Sequence, residues 1–129
     1  MTHLSHPLAR ARGLGSAKSG VHHWLAQRIS AVLLLLLLPW LAYGLVCLVG
    51  TGQQEAAAFI ARPWNATLLL LSLLVLLYHG MLGLQVVIED YVHQRAIELI
   101  LHVVVRAATL FAAVLGGVFI LRLALGDGS

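Results

Sequence analysis

Long apolar stretches alternate with short polar segments along the whole chain. No Asp, Glu, Lys or Arg occurs at positions 29–54 or 63–88, and each of these stretches holds 26 residues. A third apolar stretch runs from about Leu99 to Leu125. A helix needs roughly 20 predominantly apolar residues to cross the hydrocarbon of a bilayer. Because a spanning segment must satisfy its own backbone hydrogen bonds, the pattern predicts three transmembrane helices.

The polar segments set the boundaries of the predicted elements. The chain is expected to consist of a basic arm at 1–28, a three-span membrane anchor at 29–125 with spans at about 29–50, 66–89 and 98–123, and a tail at 126–129. A transmembrane β-barrel is excluded, because its strands alternate polar and apolar residues whereas positions 33–38 are all leucine. The predicted fold class is an all-α integral membrane protein with three transmembrane helices.

Composition excludes the soluble classes of protein. Of the 129 residues, 60% are hydrophobic and 10% are charged, whereas soluble domains average about 45–50% and about 25%. A small particle leaves much of its surface in water, so a soluble enzyme of this composition is excluded. Disorder requires low hydrophobicity and is excluded as well. The single cysteine, Cys47, rules out an internal disulfide and a cysteine metal cluster.

The placement of the positive charges predicts the orientation in the membrane. Five cations belong to one predicted side: Arg10, Arg12, Lys18, Arg28 and Arg95. The other side has Arg62 and Arg122. Positive residues favour the cytoplasm, so we expect a cytoplasmic N-terminus and a C-terminus outside. A basic arm beside a span contacts anionic headgroups, so membrane lipid and not nucleic acid is the expected partner.

His79 is the main candidate for chemistry, because it lies within the second span about nine residues before Glu89. An ionisable group inside a membrane needs a partner and is a functional candidate by default. Gly80 and Gly83 remove side chains from the helix surface beside it, which permits close approach of another helix or of a flat porphyrin. The residues alone leave two possibilities, a histidine hydrogen-bonded in the helix core and an axial ligand of a haem iron.

A second haem ligand is not expected from this chain. His102 in the third span differs from His79 in predicted depth by roughly 9 Å at 1.5 Å per residue. A six-coordinate haem would therefore take its other ligand from a partner subunit. His102 and Arg106 share one helix face, where a snorkelling pair is favoured over contact between Arg106 and a haem propionate.

Polar residues also meet the predicted cytoplasmic boundary of the first two spans. His22 and Arg28 precede the first span, and Asp90 and Tyr91 close the second. Interfacial anchoring accounts for these residue types. The functional alternative is a site for a carboxylate or for the head group of a quinone.

Two spaced motifs resemble those of a known family. They are Ser19-Gly20-x-x-His23-Trp24-x-x-Gln27-Arg28 before the first span and His79-x-x-x-Gly83-x-x-x-Val87-Ile88-x-Asp90-Tyr91 at the end of the second. With the basic arm and three spans, they make the whole chain similar to the hydrophobic membrane anchor subunits of succinate dehydrogenase, the succinate:quinone oxidoreductase of respiratory Complex II. The likeness is to the one of the two membrane subunits that carries these motifs.

The resemblance implies a role for each matching residue. His79 corresponds to an axial ligand of haem b, whose other ligand comes from the companion membrane anchor. Tyr91 corresponds to a hydrogen-bond donor to a ubiquinone carbonyl, with Asp90 beside it. Arg28 corresponds to an arginine near the haem propionates and the quinone pocket, and His22 is expected in the same neighbourhood.

The resemblance also implies partners and a location. An iron–sulfur subunit and a flavoprotein subunit are expected to carry the dicarboxylate chemistry, because this chain has no nucleotide fingerprint or cysteine cluster. A short arm without a long transit peptide favours the bacterial inner membrane. Two alternatives remain open, a haem-free anchor of the fumarate reductase kind and a small membrane scaffold without redox chemistry.

Overall fold

Four helices account for most of residues 20–126, the part of the chain that the computed structural model describes. They are α1 (Gly20–Leu48), α2 (Gln53–Ala61), α3 (Pro63–Tyr91) and α4 (Arg95–Leu125). Three of them, α1, α3 and α4, are long and apolar enough to cross a membrane. The predicted fold class is confirmed. Most of the predicted arm at 1–28 and tail at 126–129 lies outside the described residues.

The long helices extend beyond their predicted apolar spans. The first was expected to begin near residue 29, whereas α1 already includes Gly20. The third was expected over about 98–123, and α4 runs from Arg95 to Leu125. A helix that continues past its apolar core keeps its backbone groups paired at the membrane boundary, where polar side chains are tolerated.

The short helix α2 was not predicted, because positions 50–65 were interpreted as a connection only. Glutamine, glutamate and alanine in this segment all favour helix. The left-handed conformation of Gly50 (φ 81°) follows the end of α1, and Pro63 suits the first turn of α3. Phe59 of α2 packs over Gly44 of α1, where an added Cβ would lie 3.5 Å from the ring. The connection therefore folds back onto the bundle.

Helix α3 holds the bundle together, because it packs against α1 and also against α4. Its contact with α4 is closest at Gly116, where an added Cβ would lie 2.6 Å from Leu73 Cδ2. The neighbouring Gly117 is buried and faces Leu70. Without a hydrophobic driving force between helices in lipid, association depends on such close packing of small residues.

The outer faces of the long helices are apolar and exposed. Within the described chain Gly117 is the one buried residue of α4, and residues such as Leu110 and Phe111 are more than 60% exposed. Surfaces of this kind require lipid or a protein partner around them. The arrangement is that of a membrane anchor with little core of its own.

We expect Gly116→Val to weaken the α3–α4 contact, because the new side chain would overlap Leu73. Overpacking of this kind costs about 1–3 kcal/mol. Leu115→Val is the matched control, since Leu115 is 45% exposed on the same turn. Thermal unfolding of the detergent-solubilised protein measures both. Equal stability of the two variants would contradict the close approach of α4 to α3.

Candidate functional site

The imidazole of His79 is tied to α1 by a partly buried hydrogen bond. Its Nδ1 lies 2.9 Å from Ser30 Oγ, and Ser30 is only 3% exposed. The serine hydroxyl donates its own proton to the backbone carbonyl of Gln27 at 3.0 Å. Because a hydroxyl has a single proton, it then accepts the Nδ1–H of His79. This pairing leaves a lone pair on Nε2.

Residue spacing explains why these groups meet. On α1, Ser30, Leu34 and Leu37 are buried and recur at three- and four-residue intervals, which places them on one helix face. On α3, Val75 and Leu82 are buried on either side of His79 at the same kind of interval. The two stripes face each other in the α1–α3 contact. Ser30 is the polar member of its stripe at the level of His79.

The two glycines near His79 have different surroundings. A Cβ at Gly83 would lie 3.8 Å from Gln27 Nε2, so Gly83 makes room for α1. A Cβ at Gly80 would meet nothing within 4 Å. Of the two possibilities for these glycines, helix packing applies to Gly83, whereas the surface at Gly80 is free to receive a flat ligand or a partner helix.

The residues around His79 fit an axial haem ligand. A histidine whose Nδ1–H is held by an acceptor presents Nε2 as the metal-binding atom. His79 is partly exposed, and Gly80 beside it is exposed. Residues 20–126 contain no group of three or more His, Cys, Asp or Glu side chains arranged to hold a metal ion. The described chain therefore offers a single imidazole donor here, which matches a haem site shared with another subunit.

A polar cleft of about 600 Å³ opens where α1 begins, α3 ends and α4 begins. Its polar lining residues include His22, His23, Gln27, Gln85, His102 and Arg106. His102 Nε2 lies 3.7 Å from Glu89 Oε1, so this histidine faces α3. Among the sequence-predicted site residues, His22 is the one that lines this cleft.

The other predicted site residues lie on exposed surfaces at the same end of the bundle. The Arg28 guanidinium stacks over Trp24, with Cζ 5.4 Å from the ring centroid. It is two residues before Ser30, or about 200° around the helix, and so faces away from the α1–α3 contact. Asp90 is exposed, and Tyr91 is 79% exposed at the last turn of α3. Contacts within the described chain do not bring these three residues to His79.

Sequence reasoning missed Ser30 and the carbonyl of Gln27. A small polar residue within an apolar stretch is a recognisable signal, because a hydroxyl in lipid needs a hydrogen-bond partner. The partner itself is not readable from the sequence, since positions 30 and 79 belong to different helices.

Comparison with known proteins shows clear relatives. The profile of a family described as "Succinate dehydrogenase/Fumarate reductase transmembrane subunit" matches residues 2–121. A succinate dehydrogenase hydrophobic membrane anchor subunit from Rickettsia bellii (strain RML369-C) is 45% identical over 85 residues, which cover 66% of this chain and 68% of the relative.

Two further relatives have the same description. The protein from Rickettsia conorii (strain ATCC VR-613 / Malish 7) is 36% identical over 104 residues, which cover 77% of this chain and 79% of the relative. The protein from Paracoccus denitrificans is 36% identical over 86 residues, which cover 66% of each chain. No solved structure gives a significant match.

Proposed function

Because the chain belongs to the succinate dehydrogenase/fumarate reductase transmembrane subunit family, we propose that it supplies one axial ligand of haem b and part of a ubiquinone site. As a member of this family it is a membrane anchor of an oxidoreductase complex. Its three apolar helices and bacterial relatives fit a multi-pass protein of the bacterial inner membrane. The orientation of its termini remains a prediction.

The observation that carries the proposal is the state of His79. Its Nδ1–H has a fixed acceptor in Ser30, and Nε2 retains its lone pair within a membrane-spanning helix. A bound haem would supply one-electron transfer within the membrane. This chain holds the iron through Nε2, and the other ligand comes from the companion membrane anchor. His102 does not serve as that ligand, because it faces Glu89 at the end of the bundle.

The quinone site is proposed at the end of the bundle where α3 finishes. Tyr91 lies 12 residues beyond His79 on the same helix, or about 18 Å along its axis. Its phenol donates a hydrogen bond to a ubiquinone carbonyl and so stabilises negative charge that develops as electrons arrive. Asp90 lies beside Tyr91, and Arg28 and His22 contribute positive or polar groups near the same boundary.

The remaining chemistry belongs to partner subunits. Electrons reach the quinone from an iron–sulfur subunit, and a flavoprotein subunit oxidises succinate to fumarate. The exposure of Tyr91 and Asp90 in the isolated chain supports this part of the proposal, because a quinone pocket at that surface needs a partner to close it and exclude water.

We expect His79→Ala to remove or strongly perturb the haem spectrum of the purified complex, because the iron would lose its ligand from this chain. The measurement is a dithionite-reduced minus oxidised visible spectrum, normalised to the chain. His102→Ala is the matched control, since it removes another partly buried imidazole that is not proposed as a ligand. The control is expected to retain the spectrum.

The opposite results separate the alternatives. A normal haem spectrum in His79→Ala would reject this residue as the ligand. A complex that retains its flavoprotein without any haem would instead indicate an anchor of the haem-free kind, in which the Ser30 bond satisfies a core histidine. A chain that purifies without a flavoprotein or haem would support the membrane scaffold.

We expect Tyr91→Phe to slow quinone reduction at least about tenfold, because the variant loses a donor to the developing charge in a site with little water. Assembly and haem content are expected to persist. Tyr43→Phe is the control, since Tyr43 is 68% exposed on α1 and lies outside the proposed site. Steady-state quinone reduction in membranes measures both. Unchanged kinetics in Tyr91→Phe would remove this residue from the quinone site.

A further inference from the structure

We propose that Ser30 is a positioning residue for His79, which selects the Nδ1-protonated tautomer and strengthens Nε2 as an iron ligand. The inference rests on the proposed haem ligation and adds a residue to it. Ser30 does not contact the iron in this proposal, since it acts through the imidazole of His79.

The geometry around Ser30 leaves its hydroxyl one role. The hydroxyl proton is directed at the Gln27 carbonyl at 3.0 Å, one helical turn earlier on the same helix. The oxygen is then an acceptor, and the atom within reach is His79 Nδ1 at 2.9 Å. A neutral imidazole that donates from Nδ1 has its lone pair on Nε2. The chain from carbonyl to hydroxyl to imidazole therefore sets the tautomer.

Burial makes this choice strict. Ser30 is 3% exposed, so water does not replace its oxygen as the acceptor for Nδ1–H. Without that acceptor the Nδ1–H would be unpaired in an apolar helix contact, which favours rotation of the ring or the other tautomer. Either change would take Nε2 out of its ligating state.

The same hydrogen bond affects the electronic properties of the ligand. An acceptor on Nδ1–H increases the basicity of a ligating imidazole, and loss of such a partner typically weakens metal binding by about 10–100-fold. A more basic imidazole stabilises the ferric over the ferrous state. Removal of the Ser30 hydroxyl should therefore loosen the haem and shift its midpoint potential in the positive direction.

A second buried serine provides a matched control. Ser72 on α3 is 5% exposed, and its Oγ has no hydrogen-bond partner among the described residues. It lines an apolar cavity of about 230 Å³ between the helices. Ser72→Ala thus removes the same hydroxyl from a buried helix face without touching His79.

The experiment compares four variants of the complex, purified in mild detergent through a tag on this chain: Ser30→Ala, Ser30→Thr, Ser72→Ala and His79→Ala. The measurements are haem content, the rate of haem loss to an excess of a haem-scavenging protein, and the haem midpoint potential. We expect Ser30→Ala to lose haem at least about tenfold faster than the unmodified complex and to have a more positive potential. Ser72→Ala should behave as the unmodified complex.

Rescue by threonine separates a hydrogen bond from packing. Threonine keeps a hydroxyl that donates to a carbonyl one turn back in a helix, so Ser30→Thr should restore the slow haem loss and the original potential. The inference is overturned if Ser30→Ala matches Ser72→Ala, or if Ser30→Thr shows the same defect as Ser30→Ala.

The His79→Ala complex distinguishes this failure from a failure of the ligand assignment. Loss of the haem signal in His79→Ala with an unaffected Ser30→Ala would reject Ser30 as a positioning residue and keep His79 as the ligand. A normal haem signal in His79→Ala would reject both assignments together.

Discussion

A polar ring in the interior of a helix bundle without water needs a hydrogen-bond partner in its own surroundings, and this constraint shapes the centre of the molecule. His79 meets it through Ser30, whose hydroxyl is in turn committed to the Gln27 carbonyl. The pair joins α1 to α3 at the level where Gln27 also packs against Gly83. One requirement, the satisfaction of Nδ1–H, thus fixes both the contact between two helices and the nitrogen that remains free for a metal.

The rest of the packing follows from how little hydrophobic gain is available between helices in lipid. Close contacts occur where a side chain is small, as at Gly116 against Leu73 and at Gly44 against Phe59. The large apolar residues largely face outward, which suits lipid and the other subunits of a complex. An anchor of this design carries half of a site and leaves the other half to its partners.

Sequence patterns and structure agree where a single helix decides the outcome. The spans follow from uninterrupted apolar stretches, and the relation of Tyr91 to His79 follows from their spacing on α3. The pattern failed at α2, because a nine-residue helix with an apolar Phe59 is short and has no span-length signal. The helix ends also differ, since α1 continues through polar residues to Gly20.

The sequence by itself determined the fold class, the three spans and His79 as the intramembrane candidate, because hydropathy and helical spacing are local properties. Its motifs also identified the family that the relatives then showed. Only the tertiary structure decided that Ser30 is the partner of His79, that Gly83 serves helix packing and that Arg28 faces away from the α1–α3 contact. Those facts depend on how α1 rotates against α3, and that rotation is set by side-chain contacts between residues about fifty positions apart in the chain, which no local pattern records.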